Sequence, residues 1–252
     1  MGLERQARYR WAAEVAGGGR VLDAACGAGW GTAVLAAKAA AAVGVDFSPA
    51  AVGDARREHG GLADFHEGDL RELPFGRGEF DSVVCFEAIA HVAEPERVLD
   101  ELHRVLRAGG TLLISAPNRG AYPPGNPLHL SEIASAELER MLGERFANVA
   151  VHRQQTHFAS LLCSTKTQAA ADVDMPIDVQ VRKVAGGPAG SELHAVAAAS
   201  DDELPPAPAW LVLGEAADYE EQQRQLAEWR ERAVRAEAEA LALRKELRDR
   251  QG

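Results

Sequence analysis

A chain of 252 residues can bury one substantial core and still carry an appendage, so neither disulfides nor a structural metal is needed to hold it. With 38 Asp and Glu against 27 Lys and Arg, the formal charge of −11 repels phosphate backbones and speaks against nucleic acid as partner. Cys26, Cys85 and Cys163 are odd in number and widely spaced, which excludes a disulfide framework and a zinc-ligand spacing. No basic stretch leads into an apolar segment near the start, and no apolar run reaches about 18 residues, so the expectation is a cytoplasmic protein that spans no membrane.

In chain order, residues 1–15 have the pattern of a helix. Short apolar runs at 20–25, 42–46, 64–67, 80–86 and 111–116 read as strands, and residues 30–40, 49–58 and 95–106 read as the helices between them. This alternation predicts an α/β fold, Rossmann-like and doubly wound, with a mostly parallel sheet. Residues 135–142 read as a further helix that Gly143 should end in a left-handed conformation. Residues 192–199 then return to the sheet as one late antiparallel strand. Between them, residues 156–190 mix Ala, Gly, Pro and charge without periodicity and stand as an insertion. Residues 201–214 hold Pro205, Pro206 and Pro208 and read as a linker, after which 215–250 contain neither Pro nor Gly and read as one long helix. The predicted organisation is a domain over 1–200, a linker and a C-terminal coiled-coil helix.

The chemistry starts where the first strand ends, in Val21-Leu-Asp23-Ala-Ala25-Cys-Gly27-Ala-Gly29-Trp-Gly31-Thr32. Glycines let a turn pass close beneath a ligand, and the helix that follows offers unpaired N–H groups there. A dinucleotide fingerprint fits only in part, because a third small residue is due where Thr32 stands. Asp46 ends the second strand, where a carboxylate can accept both hydroxyls of a ribose. A purely structural turn with an N-capping acid is the bland alternative.

The order of the remaining motifs resembles that of class I S-adenosylmethionine-dependent methyltransferases, from about Tyr9 to Ala199. Asp23, Ala25, Gly27 and Gly29 are similar to that family's first motif, and Asp46 with Phe47 to its ribose acid and adenine contact. Gly68-Asp69-Leu70 followed by Leu73-Pro74-Phe75 resembles the third motif, in which the acid accepts from the adenine amino group. Phe86 and Glu87 close a run similar to the fourth strand, beside the methionine part of the cofactor, and Arg104 to Gly110 resembles the turn into the fifth, with Ala108 where proline is usual. The resemblance implies S-adenosyl-L-methionine as cofactor. Methyl transfer is an in-line displacement, so catalysis there comes from positioning the acceptor and excluding water, with a base to take the proton of a hydroxyl.

Candidates for that base are His91, four residues beyond Glu87, and His129, in a segment stiffened by Pro123, Pro124 and Pro127. Glu87, His91 and His129 also resemble the metal pattern of quinone-precursor O-methyltransferases and small-RNA terminal-ribose methyltransferases. Ala90 takes the place of that pattern's second glutamate, so direct action of the histidines is the preferred reading. The segment 115–132 and the helix after it resemble methyltransferases of sugars, glycans and glycosylated natural products. That implies a small-molecule or glycan acceptor bound by Tyr122, Asn126 and Glu132; a small aromatic or quinone precursor is the alternative.

In the last helix, Tyr219, Gln222, Leu226, Trp229, Ala233, Ala236, Ala240, Leu243 and Leu247 recur at steps of three and four, the seam of a coiled coil that serves a homo-oligomer or a docked partner. Glu220 with Arg224 and Glu228 with Arg232 add supporting pairs. A catalytically silent adaptor that presents this seam is the competing class of function. Removing everything after Leu213 is expected to leave cofactor binding intact and to lower the mass per particle in light scattering; an unchanged mass would show that the seam is not the assembly element.

Overall fold

The computed structural model describes residues 3–118, 130, 133–154 and 194–207. The chain divides into two units, one of Arg8–Trp210 and one of Met1–Ala7 with Leu211–Gly252. The insertion expected at 156–190 and the helix expected at 215–250 lie outside the described residues.

In chain order the elements are α1 (Leu3–Val15), β1 (Arg20–Ala24), α2 (Trp30–Ala36), β2 (Ala41–Asp46), α3 (Pro49–His59), β3 (Asp64–Glu67), β4 (Phe80–Phe86), a single 3-10 turn (Ile89–His91), α4 (Pro95–Val105), β5 (Leu106–Pro117), α5 (Ser135–Gly143), β6 (Asn148–Gln154) and β7 (His194–Ser200). The strands make one sheet of order β3-β2-β1-β4-β5-β7-β6. The first five run parallel, and β7 enters antiparallel between β5 and β6. This is the Rossmann-like, mostly parallel sheet with an antiparallel late strand that the periodicity predicts.

A sheet covered on both faces needs strands apolar along their length, and β2 and β4 are buried at nearly every position. Alternation sorts the side chains into two cores. On one face Leu22, Val83, Cys85, Leu112, Ile114 and Ala197 pack with Val98, Leu99 and Leu102 of α4 and Leu138 of α5. On the other, Val21, Val84, Phe86, Leu113 and Val196 pack with Tyr9, Trp11 and Ala12 of α1 and Leu35 of α2. Ser48 caps α3 by accepting from Ala51 N–H at 3.3 Å, and Pro49 supplies a preset φ at its first position.

Three local readings change. Helix α2 ends at Ala36 instead of continuing to residue 40, because Ala40 N–H turns back to the carbonyls of Gly18 and Gly19, each at 3.0 Å. Gly143 stays inside α5 and does not adopt the left-handed state; Glu144 follows with φ −77, and Arg145 and Phe146 N–H both close on the Leu142 carbonyl at 2.9 Å. Strand β6 was not foreseen. Only Val149 and Val151 mark its apolar face, too short a signal to separate an edge strand from a loop.

Gly31 on α2 faces the ring of Tyr9, and a Cβ there would collide with it. Gly31→Ala is therefore expected to lower stability by about 1–3 kcal/mol through overpacking. Denaturant melts check this, and a change to Leu at position 9 should recover part of the loss.

Candidate functional site

The strand order reverses between β1 and β4, and ligands of open α/β sheets bind outside the carboxyl ends of strands at such a point. As β1 ends, Ala25 turns through φ 69, and the N–H groups of Ala25 and Cys26 both donate to the Val45 carbonyl of β2, at 2.8 and 3.0 Å. Gly29 follows with φ 81, where a Cβ would stand 2.8 Å from Ala55 and from the Phe65 ring. Conformation and space thus both demand glycine there. The Cys26 thiol lies inside this turn. Burial, then the charges of Asp23 and Asp46, push its pKa far above the ordinary thiol value.

Asp46 ties the glycine turn to the next strand. Its Oδ2 accepts from Gly27 N–H and its Oδ1 from Ser48 N–H, each at 2.9 Å. Each carboxylate oxygen keeps a second lone pair, so the group can still accept two vicinal hydroxyls. Beside it Phe47 is 80% exposed, a large apolar side chain left in solvent where the sequence places an adenine contact. These residues fit the nucleoside half of S-adenosylmethionine.

Asp69 is engaged more fully than its sequence suggests. Arg71 grips it through Nε and Nη2, at 3.0 Å to Oδ1 and 2.6 Å to Oδ2, and through its backbone N–H at 2.8 Å. These bonds from Arg71 hold the Asp69 carboxyl at about 2, and the pair is half-buried. Leu70 turns its side chain into the core beside Leu73, so any contact it makes with a ligand runs through its backbone.

Asp23 has no exposed surface. Its Oδ1 accepts from the Tyr9 hydroxyl at 3.0 Å and its Oδ2 from the Thr32 hydroxyl at 2.7 Å. Through these bonds the buried carboxylate of Asp23, grouped by resemblance with the first cofactor motif, ties the turn to α1 and α2. Thr32, which spoils the dinucleotide fingerprint, is a donor to it. Phe86 is likewise interior, packed edge-on against Tyr9 with ring centroids 5.2 Å apart.

Glu87, just beyond β4, has φ 61. Its N–H donates to both the carbonyl and the hydroxyl of Ser115, each at 3.1 Å, and that hydroxyl donates back to Glu87 Oε1 at 2.7 Å. Arg8 Nη1 stands 3.7 Å from Oε1, and His194 Nδ1 stands 3.1 Å from Oε2. Arg8 also donates to the Gln154 side chain at 2.7 Å. Burial by itself would raise the Glu87 pKa, but His194, the Arg8 charge and the Ser115 hydroxyl outweigh it and hold the group at about 2. At neutral pH it is a carboxylate and no general acid. Arg8, Ser115, Gln154 and His194 were missed by sequence reasoning, and no local motif marks them.

His91 ends the 3-10 turn and is exposed. Leu130 N–H donates to the Ala90 carbonyl at 2.8 Å, and Asn118 pairs with Ile133, so the described ends of the 119–132 segment stand at the C-terminal ends of β4 and β5. Tyr122, Asn126, His129 and Glu132 themselves lie outside the described residues. Of the metal alternative Glu87, His91 and His129, the Glu87 carboxylate is already engaged by Arg8 and His194, and His129 lies outside the described residues.

A protein-family model described as "Methyltransferase domain" matches residues 22–114. A phosphatidylethanolamine N-methyltransferase of Cereibacter sphaeroides is 39% identical over 54% of this chain and 68% of its own length. A demethylmenaquinone methyltransferase of Clavibacter sepedonicus is 38% identical over 52% of this chain and 56% of its own. The solved structure of a SAM-dependent methyltransferase from Thermotoga maritima superposes with a TM-score of 0.58 at 18% identity, over 79% of this chain and 89% of that one, a likeness of fold. The chain spans about half the length of the first curated relatives it matches.

Asp46→Ala removes the acceptor for Gly27 N–H together with any acceptor for a ribose diol. S-adenosylhomocysteine is expected to bind more weakly by about 1.5–3 kcal/mol, roughly 10- to 100-fold. Calorimetry reads this directly, and an unchanged dissociation constant would place the ribose elsewhere.

Proposed function

The chain belongs to the class I S-adenosylmethionine-dependent methyltransferases, and from that premise we propose that it methylates a hydroxyl of a sugar, glycan or glycosylated natural product. The observation that carries an oxygen acceptor is the bond from Leu130 N–H to the Ala90 carbonyl at 2.8 Å. It sets Leu130, the residue that follows His129 in sequence, against Ala90, the residue before exposed His91. The sugar class is supported by the resemblance of the 115–132 segment.

S-adenosylmethionine supplies an electrophilic methyl group on a sulfonium sulfur. The chain's own part is to orient and deprotonate. Asp46 and Phe47 would hold the ribose and adenine, Asp69 and the Leu70 backbone the far edge of the base, and the Ala25–Gly29 turn would run beneath the ligand. His129, or His91 in its place, takes the proton from the acceptor hydroxyl as the new C–O bond forms and the C–S bond breaks. Tyr122, Asn126 and Glu132 would fix the acceptor's other polar groups. The intact Gly27–Asp46 contact favours this reading over a silent adaptor, which has no need of it.

A second reading, methyl transfer to a quinone precursor, is favoured by the name of the Clavibacter relative. Incubation with methyl-labelled S-adenosylmethionine and three acceptor sets separates the readings: oligosaccharides, dihydroxyaromatics and phosphatidylethanolamine vesicles. Label in an oligosaccharide hydroxyl is expected; label confined to either other set overturns the sugar assignment. With the acceptor found, His129→Ala is expected to lower turnover by roughly 100- to 10,000-fold while S-adenosylhomocysteine affinity barely changes. A larger loss in His91→Ala transfers the role to that residue. Full activity in both means that proximity alone drives transfer, as for an amine.

A further inference from the structure

Two consecutive residues of α1 reach the two strand ends that border the crossover. Tyr9 donates to Asp23 at 3.0 Å near the end of β1, and Arg8 stands 3.7 Å from Glu87 just beyond β4. Beside these contacts the backbone takes the left-handed conformation at two residues other than glycine, Ala25 with φ 69 and Glu87 with φ 61. Strain of this kind persists only where the surroundings over-determine it.

Neither contact is needed for packing alone. The Tyr9 ring already fills the space against Phe86, Trp30 and Gly31, so its hydroxyl adds direction and not bulk. Arg8 is only 5% exposed, and an apolar side chain would pack there at lower desolvation cost than a guanidinium. What the charge adds is a fixed relation between α1, Glu87 and, through Gln154, β6. Thr32 completes the same arrangement on the β1 side by closing the second oxygen of Asp23 at 2.7 Å.

We propose that Arg8 and Tyr9 are positioning residues that act through Glu87 and Asp23 to hold both left-handed corners of the cleft in the arrangement that accepts the cofactor. The α1 helix is then a clamp across the crossover, and the cleft is set before any ligand arrives. This rests on the reading of the cleft as the cofactor site, so one of the measurements is made without ligand.

Tyr9→Phe, Arg8→Gln and Arg8→Lys are compared with the native chain by thermal melts, by calorimetry with S-adenosylhomocysteine, and by hydrogen exchange of the ligand-free proteins over residues 24–29 and 86–90. Tyr9→Phe keeps the ring and is expected to fold. Its affinity should fall about 5-fold, the weight of one hydrogen bond. Arg8→Gln should weaken binding about 10-fold or more, with Arg8→Lys between it and native because the charge is kept and the fork is lost. Faster exchange is expected at the 24–29 corner in Tyr9→Phe and at the 86–90 corner in the Arg8 variants. Unchanged exchange at the corners overturns the clamp whatever the ligand does. Faster exchange with undiminished affinity also overturns it, and leaves the cofactor assignment standing. A lower melting temperature with native affinity and native exchange reduces both residues to packing.

Discussion

The carboxylate of Asp46 holds together the two turns from which the candidate site is made. One oxygen fixes Gly27 after β1, and the other fixes Ser48 at the start of α3, so the ends of two parallel strands share a single anion. Every other feature of the cleft is arranged around that junction. The Ala25 and Cys26 amides close on Val45 one residue before it, Gly29 must lack a side chain to pass Phe65, and Phe47 projects into solvent one residue after it. The sheet supplies the platform, but the carboxylate decides where the loop lies on it.

The opposite wall is built by a different economy. On the β4 side, the polar groups are interior, and their cost is met by pairing: Glu87 with Arg8, His194 and Ser115, and Arg8 in turn with Gln154. Such clusters bring little net stability compared with an apolar filling, whereas removal of one member leaves a charge uncompensated. Their worth is geometrical. Elements α1, β4, β5 and β7 meet at Glu87, β6 joins them through Gln154 on Arg8, and the corner that carries Glu87 is strained.

How far the sequence could be read follows from the distance over which each signal acts. The glycine turn, Asp46 and the alternation of the buried strands are local, and each declares itself within a few residues. Thr32 was visible as a misfit to the dinucleotide pattern, and its reason lay nine residues back at Asp23. Arg71 was hidden in plain view two residues from Asp69, since nothing in an Asp-Leu-Arg run says that the side chain folds back. Arg8 with Gln154, separated by 146 positions, could not be paired by any local rule. Gly143 misled because a glycine near a helix end permits the left-handed state without compelling it.

The thiol of Cys26 has a further meaning in such a site. Its Sγ points to the Gly27 carbonyl at 3.5 Å, inside the loop that would carry an electrophilic methyl donor. A thiolate there would be a stronger nucleophile than any hydroxyl and would compete with the acceptor for the transferred group. Burial and the two flanking aspartates keep the proton on sulfur. The same acids that shape the loop thus silence the one side chain within it that could have consumed the reagent.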